Sequence, residues 1–431
     1  MKVINKIENN LKNLHAQDPK IAKLVDQELD RQRNSIELIA SENFTYRGAL
    51  EAAGSVLTNK YAEGYPDHRY YGGCEVIDKV EKIAIERVCK LFGCKYANVQ
   101  PHSGSSANLA AYHALANIGD TIMGLALDNG GHLTHGSPVN FSGIYYDSQS
   151  YTLNKETEQL DYDLILKQAK KVKPKVIVAG YSAYPRKISF KKMRDICNKV
   201  GAYLLVDMAH IAGLVATKQH PNPFPYAHVV TSTTHKTLRG PRSGIILTND
   251  KELAKKINKA VFPGLQGGPL MHIIAAKAVC FKYAASAEYK NYIKKTMANA
   301  KAIGKGMEDG GLRLITGGTD NHLCLVDVSV ARATGKQVEA ACDKAFITVN
   351  KNTIPNEKLS PFVTSGIRVG TPAVTTRGFT EKDCYKVGQN IAKIAFNLNA
   401  NGNCKPAVLK EVQKDSKAML KARPLYAGSQ Y

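Results

Sequence analysis

The chain of 431 residues carries 59 Lys and Arg against 37 Asp and Glu, a formal net charge of +22, and 44% of it is hydrophobic. A chain of that length and apolar content can bury a large core in more than one domain, and its mixed, repeat-free composition excludes wholesale disorder. So basic a balance attracts polyanions, but the lysines are spread along the chain (Lys170, Lys171, Lys173 and Lys175, then Lys191 and Lys192) without an RNP motif, zinc finger or arginine-rich arm, so nucleic acid is not expected as the main partner.

Residues 1–15 (MKVINKIENNLKNLH) mix charges and Asn with apolar positions, unlike a secretory signal. No run of ~18 apolar residues follows anywhere, so no membrane-spanning helix is expected. Residues 20–33 read as an amphipathic helix with Ile21, Leu24, Val25 and Leu29 on one stripe. The Gly- and Tyr-rich stretch 61–73 is too irregular for a regular element, and a helix over 75–92 leads to a strand near 96–99. Apolar runs at 121–126, 175–180, 203–207, 228–232 and 244–248 suit buried strands of a mostly parallel sheet, with helices between them at 106–117, 161–173 and 189–200. This βαβ rhythm predicts an α/β layered domain. A helical stretch from Leu270 to Met307, broken near Ala287, precedes a strand at 322–328 and a smaller C-terminal α+β domain. The expected division is an arm over 1–55, a large domain over 56–285 and a small one over 286–431, closely packed. The cysteines number nine, scattered and without a Cys-x-x-Cys, as expected for reduced thiols in the cytoplasm.

In α/β sheets ligands gather beyond the carboxyl ends of the strands. Strand 203–206 runs into Asp207 and then His210, and strand 228–232 runs into Thr233-Thr234-His235-Lys236. A carboxylate on one buried strand end and a lysine beyond another are what pyridoxal phosphate needs, the acid to keep the ring nitrogen protonated and the lysine to form a Schiff base. Its phosphate needs a helix N-terminus, and Ser103, Gly104 and Ser105 stand before such a helix. Taken alone, Asp207 would be a turn or cap residue and Ser103 an ordinary N-cap. His132 and His135 lack a third ligand at familiar spacing, so no metal is expected; an imidazole stacked on the cofactor ring is a better use of His132.

The string VVTSTTHKTLRGPRSG (229–244) resembles the cofactor-lysine signature of serine hydroxymethyltransferases. So do IELIASENF (36–44), LTNKYAEGYPDHRYYGGCE (57–75), QPHSGSSAN (100–108), GGHLTHGSPVNFSG (130–143), LLVDMAHIAGLVA (204–216), GGTDNHL (317–323) and SPFVTSGIRVGTPA (360–373). The resemblance implies a fold-type I pyridoxal-phosphate enzyme, a homodimer or dimer of dimers with shared sites. It would convert L-serine and tetrahydrofolate reversibly to glycine and 5,10-methylenetetrahydrofolate, through aldimine and quinonoid intermediates. Lys236 would be the Schiff-base lysine, Asp207 the partner of the ring nitrogen, and His132 the stacking ring. Ser182 and His210 would lie near the phenolic oxygen, and Ser103, Gly104, Ser105 and His235 at the phosphate. Gly267, Gly268 and Tyr61 of the neighbouring subunit would complete that cup, and Thr233 would assist proton transfer beside the lysine. Arg368 and Ser41 would bind the substrate carboxylate. Glu63 of the neighbour would handle protons at the serine hydroxyl, with Tyr71 and Arg242 on the same wall. Leu127, Gly131, His132, Leu133 and Ser360, Pro361 and Phe362 would bound the pterin.

The chain departs from the family pattern at Leu265, where a glycine is expected, at Ser106, where Gln is common, and at Asp128-Asn129. Two other readings remain at this point. A folate-independent aldolase acting on β-hydroxy amino acids would share Lys236 and Asp207 but need no pterin wall. A basic RNA-binding protein on the same fold would draw support from charge alone.

Overall fold

The structure, a computed structural model, describes residues 11–426; the first ten residues of the expected arm and the last five of the chain lie outside them. Its centre is a seven-stranded sheet in the order Tyr96–Asn98, Gly244–Thr248, Val229–Thr233, Tyr203–Asp207, Val176–Ala179, Thr121–Leu125 and Asp147–Tyr151. All five expected apolar runs are in it. Gly244–Thr248, however, pairs antiparallel with both of its neighbours. The cause is the short connection from Thr233: a parallel return needs a crossover of a dozen or more residues, and the segment 234–243 has no helix to make one. The strand Asp147–Tyr151 is unannounced by its sequence, DSQSY, because it lies at the sheet edge and buries only Tyr151.

The expected helices form at Pro19–Arg33, Glu75–Phe92, Tyr162–Val172 and Phe190–Val200, while the one expected at 106–117 begins earlier, as Gly104–Leu115. The long helical stretch is two helices, Met271–Ala284 and Ala287–Asp309, the second capped by Ser286, whose hydroxyl accepts from Tyr289 N. The stretch 61–73 does hold a regular element: Gly64–Tyr65 pairs with His68–Arg69, and Gly64 takes φ +98°, in the left-handed region that favours glycine. The stripe on Pro19–Arg33 forms, but the described residues leave most of it uncovered. Ile21, Leu24 and Val25 are 48%, 58% and 40% exposed and line an open groove with Leu50 and Tyr426.

Beyond the central sheet lies a four-stranded antiparallel one, ordered Arg313–Leu314, Leu323–Asp327, Gly366–Gly370 and Asn350–Asn352. Two hydrophobic cores cover the large sheet, a larger one with Met123, Ile177, Leu204 and Val230 and a smaller one with Ile122, Val176, Leu205 and Val229; another gathers Val326, Ile367, Val369 and Ile391 around the small sheet and takes in Ile36 and Leu38 from near the N-terminus. The helix Ala287–Asp309 joins the two sheets, with Ile293 in the larger core of the large sheet and Ile303 and Met307 in the core of the small one.

Candidate active site

Tyr203–Asp207 and Val229–Thr233 are parallel neighbours, and register places Asp207 opposite Thr231. Their carboxyl ends therefore open into the same space, which Lys236 enters from the turn that follows. Lys236 is buried, and burial brings its ammonium down to about 8 against the opposing attraction of Asp207, with Arg368 and Arg242 adding to the fall. Asp207 is largely buried, its side chain 11% exposed, and that burial alone would raise it. The His135 hydrogen bond and the charge of Lys236 outweigh burial and hold its carboxyl well below the usual carboxylate range. Its Oδ2 accepts from Asn108 Nδ2 at 2.9 Å and from His135 Nε2 at 3.1 Å, and its Oδ1 from Ala209 N at 3.0 Å. His132 stands over this group, its ring centroid 5.5 Å from that of His135. Burial lowers His132 to about 4, so it is neutral.

The helix Gly104–Leu115 presents its free N–H groups to the same space. Gly104 has no alternative there, since a Cβ would lie 2.6 Å from Thr233 Cγ2. Ser106 and Ser103 form a capping box, Ser106 N donating to Ser103 Oγ at 3.1 Å and Ser103 N to Ser106 Oγ at 2.9 Å. The departure at Ser106 thus tightens the loop around Ser103, while Ser105 stays exposed. Two buried polar atoms in this corner, Thr233 Oγ1 and His235 Nδ1, have no hydrogen-bond partner among the described residues, and burial lowers His235 to about 3. Behind the loop a fully buried lysine, Lys277, donates to Val99 O at 2.5 Å, Pro101 O at 3.2 Å and Gly244 O at 2.8 Å.

On the other side, Arg368 enters from the middle of the strand Gly366–Gly370. Its Nη1 donates to Ser182 O at 2.9 Å and its Nε to Asn350 Oδ1 at 3.2 Å. No carboxylate lies within salt-bridge distance of it among the described residues, and burial lowers it to about 10 against the more distant attraction of Glu42. Ser41 follows Ala40, which lies against Gly370, while Gly370 N donates to Leu38 O at 2.7 Å. His210 meets His322, Nδ1 to Nε2, at 3.3 Å. Ser182 N donates to Gly130 O at 2.8 Å, tying the 127–133 loop to the same place.

Tyr61, Glu63, Tyr71, Gly267 and Gly268 form a group of their own. A Cβ on Gly267 would sit 3.1 Å from Glu63 Oε1, one on Gly268 3.1 Å from the Tyr61 ring, and the Tyr61 and Tyr71 rings are 5.2 Å apart. The charges acting on Lys236 come from Asp207, Arg368 and Arg242, and Glu63 is not among them. Gln100 and Gln266 link this group to the phosphate-side loop: Gln266 Nε2 donates to Gln100 O at 3.0 Å, and His102 N donates to Gln266 Oε1 at 3.1 Å.

The family model for serine hydroxymethyltransferase matches residues 14–391. The chain is 57% identical over 418 residues to the serine hydroxymethyltransferase of Rickettsia massiliae (strain Mtu5), covering 96% of this chain and 99% of that one. It is 58% identical over 405 residues to that of Rickettsia rickettsii (strain Sheila Smith), covering 93% and 96%. The chain belongs to the serine hydroxymethyltransferase family. It is a transferase with the large, mostly parallel sheet of fold-type I.

In this member of the serine hydroxymethyltransferase family three apolar side chains are left in solvent: Leu127 and Leu133 are 48% and 45% exposed and Phe362 is 80% exposed on the segment that includes Ser360 and Pro361, whereas Gly131 is buried. Glu357 braces that segment, its Oε1 accepting from Ser365 Oγ at 2.6 Å and its Oε2 from Ser365 N at 2.8 Å. Sequence reasoning missed Asn108, Thr134 and His322, and it weighed His135 only as a metal ligand. Asn108 was findable: it lies four residues after Gly104, one helical turn on, and so faces the same cavity. His322 was not, because its meeting with His210 spans 112 positions of sequence.

Proposed function

We propose that this chain carries pyridoxal phosphate on Lys236 and interconverts serine and glycine with tetrahydrofolate as the one-carbon acceptor. The observation that carries the reading is one cavity holding an ionised buried carboxylate, a lysine depressed by burial, and a buried arginine with no carboxylate of its own. The residues fit the cofactor. Partnerless Thr233 Oγ1 and His235 Nδ1 and the Cβ-free Gly104 leave room and hydrogen-bonding capacity for a phosphate, together with Ser103, Ser105 and the helix N-terminus. When bound, pyridoxal phosphate supplies the electron sink.

The protein's own groups do the rest. Arg368 takes the substrate carboxylate in a bidentate fork, and Ser41 adds a hydrogen bond. Asp207, kept charged by His135 and Asn108, holds a proton at the ring nitrogen. His132 covers the ring face, and Ser182 and His210 serve its phenolic side. Lys236, with the Thr233 hydroxyl beside it, would move protons at the substrate. Glu63 and Tyr71, with Tyr61, Gly267 and Gly268, act in the neighbour's site; their separate grouping in this chain and the open apolar groove on the N-terminal helix support a homodimer with shared sites. Arg242 stands at the mouth, where its charge reaches both Lys236 and His235. Leu127, Leu133 and Phe362 receive the flat pterin on apolar surface, with Gly131, Ser360 and Pro361 around them. Residues 56–285 and 286–431 are read as the large and small domains, and the nine free cysteines support a cytoplasmic setting.

The purified protein is expected to be yellow and to turn over serine only when tetrahydrofolate is present. A protein that stays colourless with added pyridoxal phosphate would sink the cofactor assignment. Equal cleavage of β-hydroxy amino acids with and without folate would move the reading to an aldolase.

A further inference from the structure

Asn108 is buried at 1% exposure on the helix Gly104–Leu115, and its amide sits at the crossing of two functional groups. Its Oδ1 accepts from Thr231 Oγ1 at 2.6 Å. Its Nδ2 has two hydrogens and two acceptors, Asp207 Oδ2 at 2.9 Å and Thr134 Oγ1 at 2.8 Å. The amide cannot be turned over, because that would set Oδ1 against an ionised carboxylate and face the Thr231 hydroxyl with a donor. Thr134 Oγ1 therefore already accepts from Asn108, and its single proton is left for the one remaining partner, His132 Nδ1 at 2.7 Å. Thr134 N also donates to His132 Nδ1, at 3.2 Å. Tyr112 OH donates to Thr134 O at 2.8 Å and holds this residue in place. Two donors converge on His132 Nδ1, so that nitrogen must present its lone pair.

We propose that Asn108 is a positioning residue that orders the protons around the cofactor site, orienting Asp207 with one hydrogen and, through Thr134, locking His132 as the neutral tautomer protonated on Nε2. This rests on the reading of Asp207 and Lys236 as cofactor groups, but the ordering itself follows from the hydrogen-bond directions alone. Its consequence is specific. With Nδ1 used and Nε2 carrying the proton, His132 offers the cavity a donor and a neutral ring face, and no lone pair. It cannot accept the proton of a substrate hydroxyl, so that task falls to another group. The charged and titratable groups around it are His135, Asp207, Lys236 and Arg368; only Asp207 favours its protonation, and burial outweighs that pull.

The test is the nitrogen NMR spectrum of histidine-labelled holoenzyme at neutral pH, with His132 assigned by its loss in His132→Asn. The expected pattern is Nδ1 in the unprotonated range and Nε2 in the protonated range. A proton on Nδ1, or on both nitrogens, overturns the proposal without any variant being needed. Asn108→Asp then reverses the chain of donors. Its carboxyl, protonated toward Asp207, accepts from Thr134 Oγ1, whose lone pair now faces His132, and a population protonated on Nδ1 is expected to appear. An unchanged tautomer in a folded Asn108→Asp would remove Asn108 from the ordering. Failure of the cofactor reading shows elsewhere, as an absent visible absorption band, and leaves the tautomer result standing.

Discussion

Replacing Arg368 with Lys tests the substrate side of the site most sharply, because the change preserves the charge and removes the fork. In the folded chain the guanidinium uses Nη1 on Ser182 O and Nε on Asn350 Oδ1, which aims the rest of its planar edge at the cavity. A lysine supplies a point charge in place of paired N–H groups. Losing one charge-assisted hydrogen bond to the substrate carboxylate costs about 1.5–3 kcal/mol. At about 1.4 kcal/mol per factor of ten, kcat/KM for serine falls roughly 10- to 100-fold. The upper part of that range is expected, since Ser182 O and Asn350 Oδ1 also lose their donors. The assay is the initial rate against serine concentration at saturating tetrahydrofolate, with glycine affinity measured separately. The visible absorption of the holoenzyme should not change, because Arg368 is not placed at the cofactor phosphate or ring nitrogen. Serine and glycine constants within about twofold of wild type would refute the assignment of Arg368 to the carboxylate.

Three further outcomes are expected. Lys236 is lowered to about 8 by burial, so it is an ammonium below that pH and a free amine above it; uptake of pyridoxal phosphate by the apoenzyme should quicken with rising pH and level off above about 8. A rate still climbing steeply toward pH 10 would mean an ordinary lysine. Phe362→Ala removes a ring that is 80% exposed, so thermal stability should stay within about 0.5 kcal/mol while KM for tetrahydrofolate rises and that for serine does not; an unchanged folate KM would take Phe362 off the pterin wall. Lys277→Met strips the shared donor from the Val99 and Gly244 carbonyls, while Pro101 O keeps Ser243 Oγ and Gly244 N; with unsatisfied buried groups costing about 1–3 kcal/mol each, the urea midpoint should fall clearly and cofactor affinity with it. A midpoint equal to wild type would show that the loop does not depend on this lysine.

Much of the fold was legible because its cause is local. The five apolar runs had to be strands of a covered sheet, being too short for helices and too apolar to face water, and Asp207 and Lys236 stood at the ends of two of them. What sequence left undetermined was decided by distance and by solvent. The polar edge strand Asp147–Tyr151 has little apolar pattern to announce it, since only one of its residues is buried. The apolar stripe on Pro19–Arg33 was read correctly as a stripe, yet periodicity says only that a face seeks cover, and the described residues leave that face exposed.

The residue types and motifs alone determined the family and, with it, the candidates: a lysine and a carboxylate proposed for a cofactor and an arginine proposed for an amino acid. Only the tertiary structure decided the state of each group. The Asp207 carboxylate is held ionised against its own burial chiefly by His135, 72 positions away in sequence, and is oriented by Asn108, 99 positions away. Arg368 becomes a cation in need of a partner because folding buries it beside carbonyls instead of a carboxylate. Hydrogen-bond direction and desolvation depend on which atoms meet in space, and no one-dimensional pattern carries that information.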